Sequence, residues 1–455
     1  MKQLTLRRIA GAIGADYSGP DAPVHHISTD SRDIPRGCLF IALKGDTFDG
    51  HRFAGAALEA GAAAVVAMED LDLPQKKVLR VGDTGQALLD AARYYRQQLD
   101  IKVVGVTGSV GKTTTKEMVA CVLSSVFTTL KTEANLNNEV GLPKTILDLD
   151  NRHRAAVLEM GMDGPGQIAR MARCALPDVG VITNIGVSHM ERLGSRENIL
   201  AAKLELREGM ADGSTLILCG DNDLLGGVRD NRLRVLFYGI KNPGCGLLAR
   251  DIRELPTHTE FVIYYLGKRF AADIPCIGAH NVYNALAAFG VGVTLGVDPD
   301  AAVAALHWYR PAGMRQKMVE RGGVTFVEDC YNASPDSMEA ALRTLGGMAV
   351  RGRRIAVLSD MLELGAIAQD EHARMGALAA TAGVELLLCT GGLSRHTIRG
   401  AGEAGLEGLY FEEKADLSQY LLNALRPGDV VWCKASRGMR LEEVLQVVYT
   451  GRTLL

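Results

Sequence analysis

A basic excess, long apolar runs and paired cysteines are all missing from this 455-residue chain, and each absence removes a class of function. Lys and Arg number 50 against 53 Asp and Glu, for a net charge of −3, so there is no electrostatic footprint for nucleic acid. No apolar stretch approaches the roughly 20 residues that cross a bilayer, which excludes a helical membrane span. Nine cysteines stand singly, at 38, 121, 174, 219, 245, 276, 330, 389 and 433, with no C-x-x-C pair. Scattered thiols in odd number suit a reduced, cytoplasmic protein better than a disulfide framework or a zinc site. Low-complexity segments are absent too. The N-terminal "MKQLTLRRIAGAIGADYSG" carries basic residues, but its apolar part is short and broken by glycine, so it reads as a helix of a folded domain.

What is present is the composition of a globular protein, 47% hydrophobic and 23% charged. Its length calls for more than one core. Segment 1–97 reads as mixed α/β: "GCLFIAL" (37–43) is strand-like, "FAGAALEAG" (53–61) suits a helix and "AAAVVAM" (62–68) a buried strand. Segment 98–313 alternates apolar strands with helices: "IKVVGVT", "RAAVLEM", "PDVGVITNI" and "GSTLILCG". That pattern predicts a mainly parallel sheet covered on both faces. "YRPAGMRQK" (309–317) is linker-like, and a second α/β series fills 314–455, with strands "GVTFVED", "RRIAVLSD", "VELLLCTG", "GLYF" and "GDVVWCKAS". The expected fold class is therefore α/β in three domains.

The chemistry concentrates in the middle segment. "VVGVTGSVGKTTTKEM" (103–118) is strand, glycine turn and helix start, the setting of a phosphate cradle. The common G-x-x-x-x-G-K-[ST] spacing is not met, because Val106 stands where its first glycine belongs. Lys112 is placed to reach phosphates and Thr113 to hold Mg²⁺. "AAVLEM" ends in Glu159, and a carboxylate at a parallel strand's carboxyl end can join a Mg²⁺ shell, although such an acid is commonly just solvated. "VITNIGVSHMERLGS" offers His189, either a second metal ligand or an exposed loop histidine. Lys203 shares a helix face with Ile199, Leu200 and Leu206. It reads first as a lysine snorkelling outward; buried instead, its amine would lose its proton readily and become reactive.

Together, "GVTGSVGKTTTKEM", "LEMGM", "TNIGVSHMERLGSRENILAAK", "GAHNVYNALAA" and "YRPAGMRQ" resemble, in order and spacing, the ATP-dependent Mur ligases of peptidoglycan synthesis. That family's loop, [AG]-x-x-G-[TS]-x-G-K-T-T, fits Gly105 to Thr114, with Val110 where Asn is common. "VEDCYNASPDSMEAAL" and "AVLSDMLELGAIAQDEHARMG" look like the branch that joins D-alanyl-D-alanine to a UDP-N-acetylmuramoyl-tripeptide, with Ser359 where Gly is commoner. The Asp-Asn-Pro-Arg signature of the diaminopimelate-adding members is absent. "STDSRDIPRGCLFIALKGDTFDGHRF" is similar to the family's uridine-nucleotide-binding domain.

The resemblance implies a UDP-sugar domain over 1–97, an ATPase domain over 98–313 and a Rossmann-like domain over 314–455 for the incoming dipeptide. It implies ATP and two Mg²⁺ ions, with no nucleic acid or membrane partner; a monomer is expected. Carried over, Gly108, Ser109, Gly111, Lys112, Thr113 and Thr114 cradle the ATP phosphates. Thr113, Glu159, His189 and a carbamylated Lys203 serve Mg²⁺. Asn281 meets the adenine, Arg310 the phosphates and Asp329 the ribose. Asn137 and Asn138 face the muramyl-peptide, Ser31 and Arg32 the uridine nucleotide, and Asn332 with the 360–364 stretch the dipeptide. On the residues alone Asn281 also reads as a helix cap, Asp329 as an exposed strand end and Arg310 as a solvated linker residue. Two rivals stand beside this reading: a related ligase adding another amino acid, and a nucleotide-binding P-loop protein without ligase activity.

Overall fold

The structure, a computed structural model, describes residues 1–311 and 313–452. The first unit is built on a parallel four-stranded sheet of β1 (Ile27–Ser28), β2 (Leu39–Ile41), β3 (Ala64–Ala67) and β4 (Val78–Arg80), in that order. Its helix α1 (Thr84–Arg96) is capped by Asp83, whose carboxylate accepts from the Gly85 and Gln86 amides.

A nine-stranded sheet follows. Its strands are β5 (Lys102–Thr107), β6 (Thr129–Lys131), β7 (Ala155–Glu159), β8 (Val179–Ile182), β9 (Thr215–Cys219), β10 (Arg234–Gly239), β11 (Leu247–Glu254), β12 (Thr259–Tyr265) and β13 (Lys268–Ile274), ordered β13-β12-β11-β10-β9-β8-β5-β7-β6. Pairing is parallel from β6 to β11, and those central strands are apolar because helices cover both faces. β12 and β13 complete an antiparallel meander on one edge. Helices α2 (Lys112–Ser124) and α3 (Ala279–Thr294) pack side by side on one face, so closely that a Cβ on Gly292 would lie 2.6 Å from Val122 Cγ1.

The last sheet runs β14-β15-β19-β16-β17-β18, from β14 (Lys317–Arg321), β15 (Val324–Asp329), β16 (Arg354–Leu358), β17 (Leu386–Thr390), β18 (Gly408–Phe411) and β19 (Val430–Lys434). All pairs are parallel except β14–β15 at the edge, and separate apolar clusters fill its two faces. The α/β expectation holds in all three units. Among the described residues no helix is long and apolar enough to cross a membrane.

The units are joined differently. One apolar core runs from Leu4 and Ile9 through α1 into β5, β7 and α3, so the first two units share their interior. Buried polar contacts reinforce that seam: Tyr95 Oη donates to the Leu149 carbonyl, and the Arg96 guanidinium to those of Ala175, Leu99 and Ile101. The third unit instead meets the second across a large, polar-lined cleft.

Candidate active site

In the central sheet β5 lies between β7 and β8, so chain order reverses there. Such a switch point opens a crevice at the carboxyl ends of the strands. Here the crevice is a cavity of about 790 Å³, walled by the 109–114 loop, strand ends of the middle unit and residues of the last unit.

The loop is shaped by two glycines. Gly108 has φ +150°, and a Cβ there would fall 1.8 Å from Thr183 Oγ1. Gly111, at φ +80°, caps α2 and lies where a Cβ would come 2.7 Å from Asn284 Oδ1. Side chains would therefore clash as well as strain the backbone. Val106 causes no defect, because it is a fully buried strand residue paired with Val181 and Glu159. The neighbouring strand end holds the loop: the Val110 amide donates to Asn184 Oδ1 (2.8 Å) and the Gly186 amide to Ser109 Oγ (3.0 Å). The Lys112 ammonium donates to the carbonyls of Gly108 (2.8 Å) and Ser109 (3.3 Å). Burial pushes it below its ordinary value, against the pull of Glu159.

Glu159, only 2% exposed, ends β7 against this loop. It accepts from Thr113 Oγ1 (2.9 Å) and Asn137 Nδ2 (2.9 Å), and Lys116 Nζ stands 3.9 Å away. His189 sits at φ +65° on the far side, its Nδ1 2.9 Å from Glu363 Oε2 but outside hydrogen-bond geometry. Burial, then Lys112 and Lys203, hold its pKa below the usual imidazole range. Lys203 does not snorkel. It is 1% exposed on the helix Arg196–Leu204 that follows in the chain, and its side-chain nitrogen makes no hydrogen bond or ion pair among the described residues. Burial, aided by repulsion from Lys112, drives its pKa far below the ordinary lysine value, so the amine gives up its proton more readily than a solvated one.

From the last unit, Asp329 ends β15 and pairs with buried Lys434 (2.8 Å), which also donates to the Asn332 carbonyl (3.1 Å). Asn281, Asn332 and Asp329 all line the cavity. The remaining assigned residues are spread more widely. Arg310 is exposed outside the cavity, its guanidinium donating to the Tyr309 carbonyl and lying 5.9 Å over the Trp308 ring. The arginine that lines the cavity is Arg315, stacked 4.0 Å from the Tyr331 ring centre and close enough to Lys112 to depress its pKa. Asn138 lines the cavity, but its Oδ1 accepts from the Val140 and Gly141 amides and so starts a helix. Ser31 and Arg32 lie outside this cavity, with Arg32 exposed and paired to Asp30.

Sequence reasoning also passed over Lys116 and Lys434. Lys116 sits one helical turn after Lys112, and Lys434 ends a strand as Glu159 does, so the same positional logic reaches both. A separate cluster, Asp49, His51 and Glu69, lies within metal-ligand spacing. Lys44 pairs with both of its carboxylates, and His51 is saturated by Asp49 and the Met68 amide.

Comparison with known proteins agrees with this architecture. Family models match in three consecutive stretches: "Mur ligase family, catalytic domain" at 23–96, "Mur ligase middle domain" at 106–292 and "Mur ligase, glutamate ligase domain" at 314–437. A curated relative, the UDP-N-acetylmuramoyl-tripeptide–D-alanyl-D-alanine ligase of Bacillus subtilis, is 37% identical, with 98% of each chain covered. Among solved structures, MurF from Acinetobacter baumannii superposes with a TM-score of 0.92 at 29% identity, covering 99% of both chains. MurF ligase from Thermotoga maritima, solved in complex with ADP, gives 0.86 at 28% identity, covering 94% of this chain and 98% of that one. A match this even across all three units, at full length, places the chain in the Mur ligase family.

Proposed function

We propose that the protein is an ATP-dependent ligase that forms an amide bond between a UDP-N-acetylmuramoyl-tripeptide and D-alanyl-D-alanine, in the making of peptidoglycan precursors. The carrying observation is a phosphate loop facing buried Glu159 and an unpaired buried lysine, in a chain 37% identical at full length to a ligase of that name. The terminal carboxylate of the tripeptide attacks the γ-phosphorus of ATP, forming an acyl phosphate and releasing ADP. The dipeptide amine then adds to that carbonyl and loses a proton, and the tetrahedral centre collapses to the amide and inorganic phosphate. Two anions meet in the first step, so neutralising charge is the main task of the site.

Each residue has a part in that task. The 108–114 backbone and Lys112 take the ATP phosphates. Arg315, rather than Arg310, supplies the second cation from across the cleft. Asn281 and Asp329 orient the nucleoside, and the 134–145 loop faces the muramyl-peptide. The donor set of a buried carboxylate, a hydroxyl and an imidazole nitrogen without a hydrogen bond fits Mg²⁺. Thr113, Glu159 and His189 would hold it, and its charge would offset that on the phosphoryl oxygens. Lys203 completes the set as a carbamate: its deprotonated amine adds to CO₂ and releases a proton, turning a buried amine into an anionic oxygen donor.

The test is phosphate release with ATP, Mg²⁺ and the UDP-linked tripeptide, adding D-alanyl-D-alanine or single amino acids. Stimulation by the dipeptide alone is the expected result. Stimulation by a single amino acid instead would assign the chain to another branch, and ATP binding with no substrate-dependent ADP would exclude ligase chemistry.

A further inference from the structure

Gln316 opens the last unit at φ +53°, a left-handed conformation that a non-glycine residue keeps only when its surroundings hold it there. Its side chain reaches back to the middle unit. Oε1 accepts from Asn281 Nδ2 at 2.7 Å, and Nε2 lies 2.7 Å from His280 Nε2. The Asn281 amide has two protons, taken by the carbonyl of Ile277 (2.8 Å) and by Gln316. His280 Nε2 must therefore accept from Gln316, which requires a neutral ring; burial pushes the His280 pKa down to about 4.

The chain of bonds continues inward. Asn281 Oδ1 accepts from Asn284 Nδ2 (3.2 Å), and Asn284 Oδ1 accepts from Thr115 Oγ1 (3.0 Å) on the phosphate-loop helix. The same Asn284 oxygen occupies the space a Cβ on Gly111 would need. Asn281, Asn284 and Thr115 are buried, so breaking one link strands polar groups away from water. The residue just before Gln316 is Arg315, whose guanidinium faces the cavity.

We propose that Gln316 is a positioning residue: through Asn281 and Asn284 it ties the seating of the C-terminal unit, and with it Arg315, to the helix that carries the phosphate loop. Nucleotide bound at the loop then steadies the hinge, and a seated hinge presents Arg315 to the nucleotide. This rests on the nucleotide reading of the cavity given above. Gln316→Met keeps the volume but removes both bonds, Gln316→Glu keeps the oxygen that accepts from Asn281, and Thr115→Val cuts the far end of the chain.

The experiment is amide hydrogen exchange read by mass spectrometry with and without the non-hydrolysable analogue AMP-PNP and Mg²⁺, alongside steady-state kinetics. In the natural protein the analogue slows exchange in both the 108–116 loop and the 313–321 hinge. In Gln316→Met and in Thr115→Val the loop stays protected and the hinge loses its protection. In Gln316→Met kcat falls about tenfold with KM for ATP changed less than about threefold, a size usual for coupling between sites. Gln316→Glu recovers the hinge protection. Unchanged hinge protection in both Gln316→Met and Thr115→Val, or loss in all three variants alike, would overturn the proposal. An unprotected loop in the natural protein would overturn the nucleotide reading and the coupling with it.

Discussion

At the scale of residues, the decisive fact about Lys203 is its isolation. A lysine on an apolar helix face is usually explained by a head that escapes to water, and sequence could not rule that out. Here the head is buried beside Lys112 and His189, and its lowered pKa follows from that company. We expect Lys203→Ala to be inactive and partly restored by added short carboxylic acids; no recovery, with unmodified Lys203 by mass spectrometry of the intact natural protein, would count against a carbamate. The two arginines of "YRPAGMRQ" teach the converse. Both fit a linker and spacing alone does not separate them; the resemblance pointed to Arg310. Only the stack on Tyr331 turns Arg315 into the cleft. Arg315→Ala is expected to lower kcat by about 10²- to 10³-fold, the usual loss when a preorganised charge is removed from such a site. Arg310→Ala should stay within twofold or so, and the reverse ranking would restore Arg310. Lys112→Ala should lose activity at least as severely as Arg315→Ala while keeping its thermal midpoint.

At the scale of elements, legibility followed burial. Strands covered on both faces carry unbroken apolar runs, so β5, β7, β8, β9 and, in the last sheet, β15, β16, β17 and β19 were readable. The β11–β13 meander alternates buried and half-exposed positions, and β14 is almost entirely exposed at a sheet edge. Neither needs an apolar run, so neither announces itself. The phosphate loop was legible because its glycines are set by close approach, which leaves residue identity as a trace. Gly111→Ala meets both a positive φ and the Asn284 oxygen, and should cost about 1–3 kcal/mol of stability from backbone strain alone. Calorimetry with AMP-PNP titration checks this: we expect a lower midpoint and lost nucleotide binding, and an unchanged midpoint would mean that the loop relaxes freely.

At the scale of the molecule, the first two units share one core whereas the third is built on two others, one of which takes in only Ile277 from the second unit. We expect denaturant to expose segments 1–97 and 98–311 together, as read by hydrogen exchange, with 317–452 opening at a different concentration. Independent early opening of 1–97 would contradict the shared core. All nine cysteines are free, and only Cys121 is not fully buried. Alkylation of the native protein should therefore modify Cys121 first and leave the others until unfolding; rapid labelling of several thiols would show a looser fold.

Sequence by itself determined the α/β class, the phosphate loop and the strand-end acid. Each of these depends on local spacing: apolar period, glycines at close approach, a carboxylate where a buried strand stops. The tertiary structure decided which lysine is buried with its pKa driven down, which arginine faces the cleft and how Gln316 is wired to Thr115. Those properties belong to pairs of residues brought together from distant parts of the chain, and burial and hydrogen bonding exist only once those parts have met.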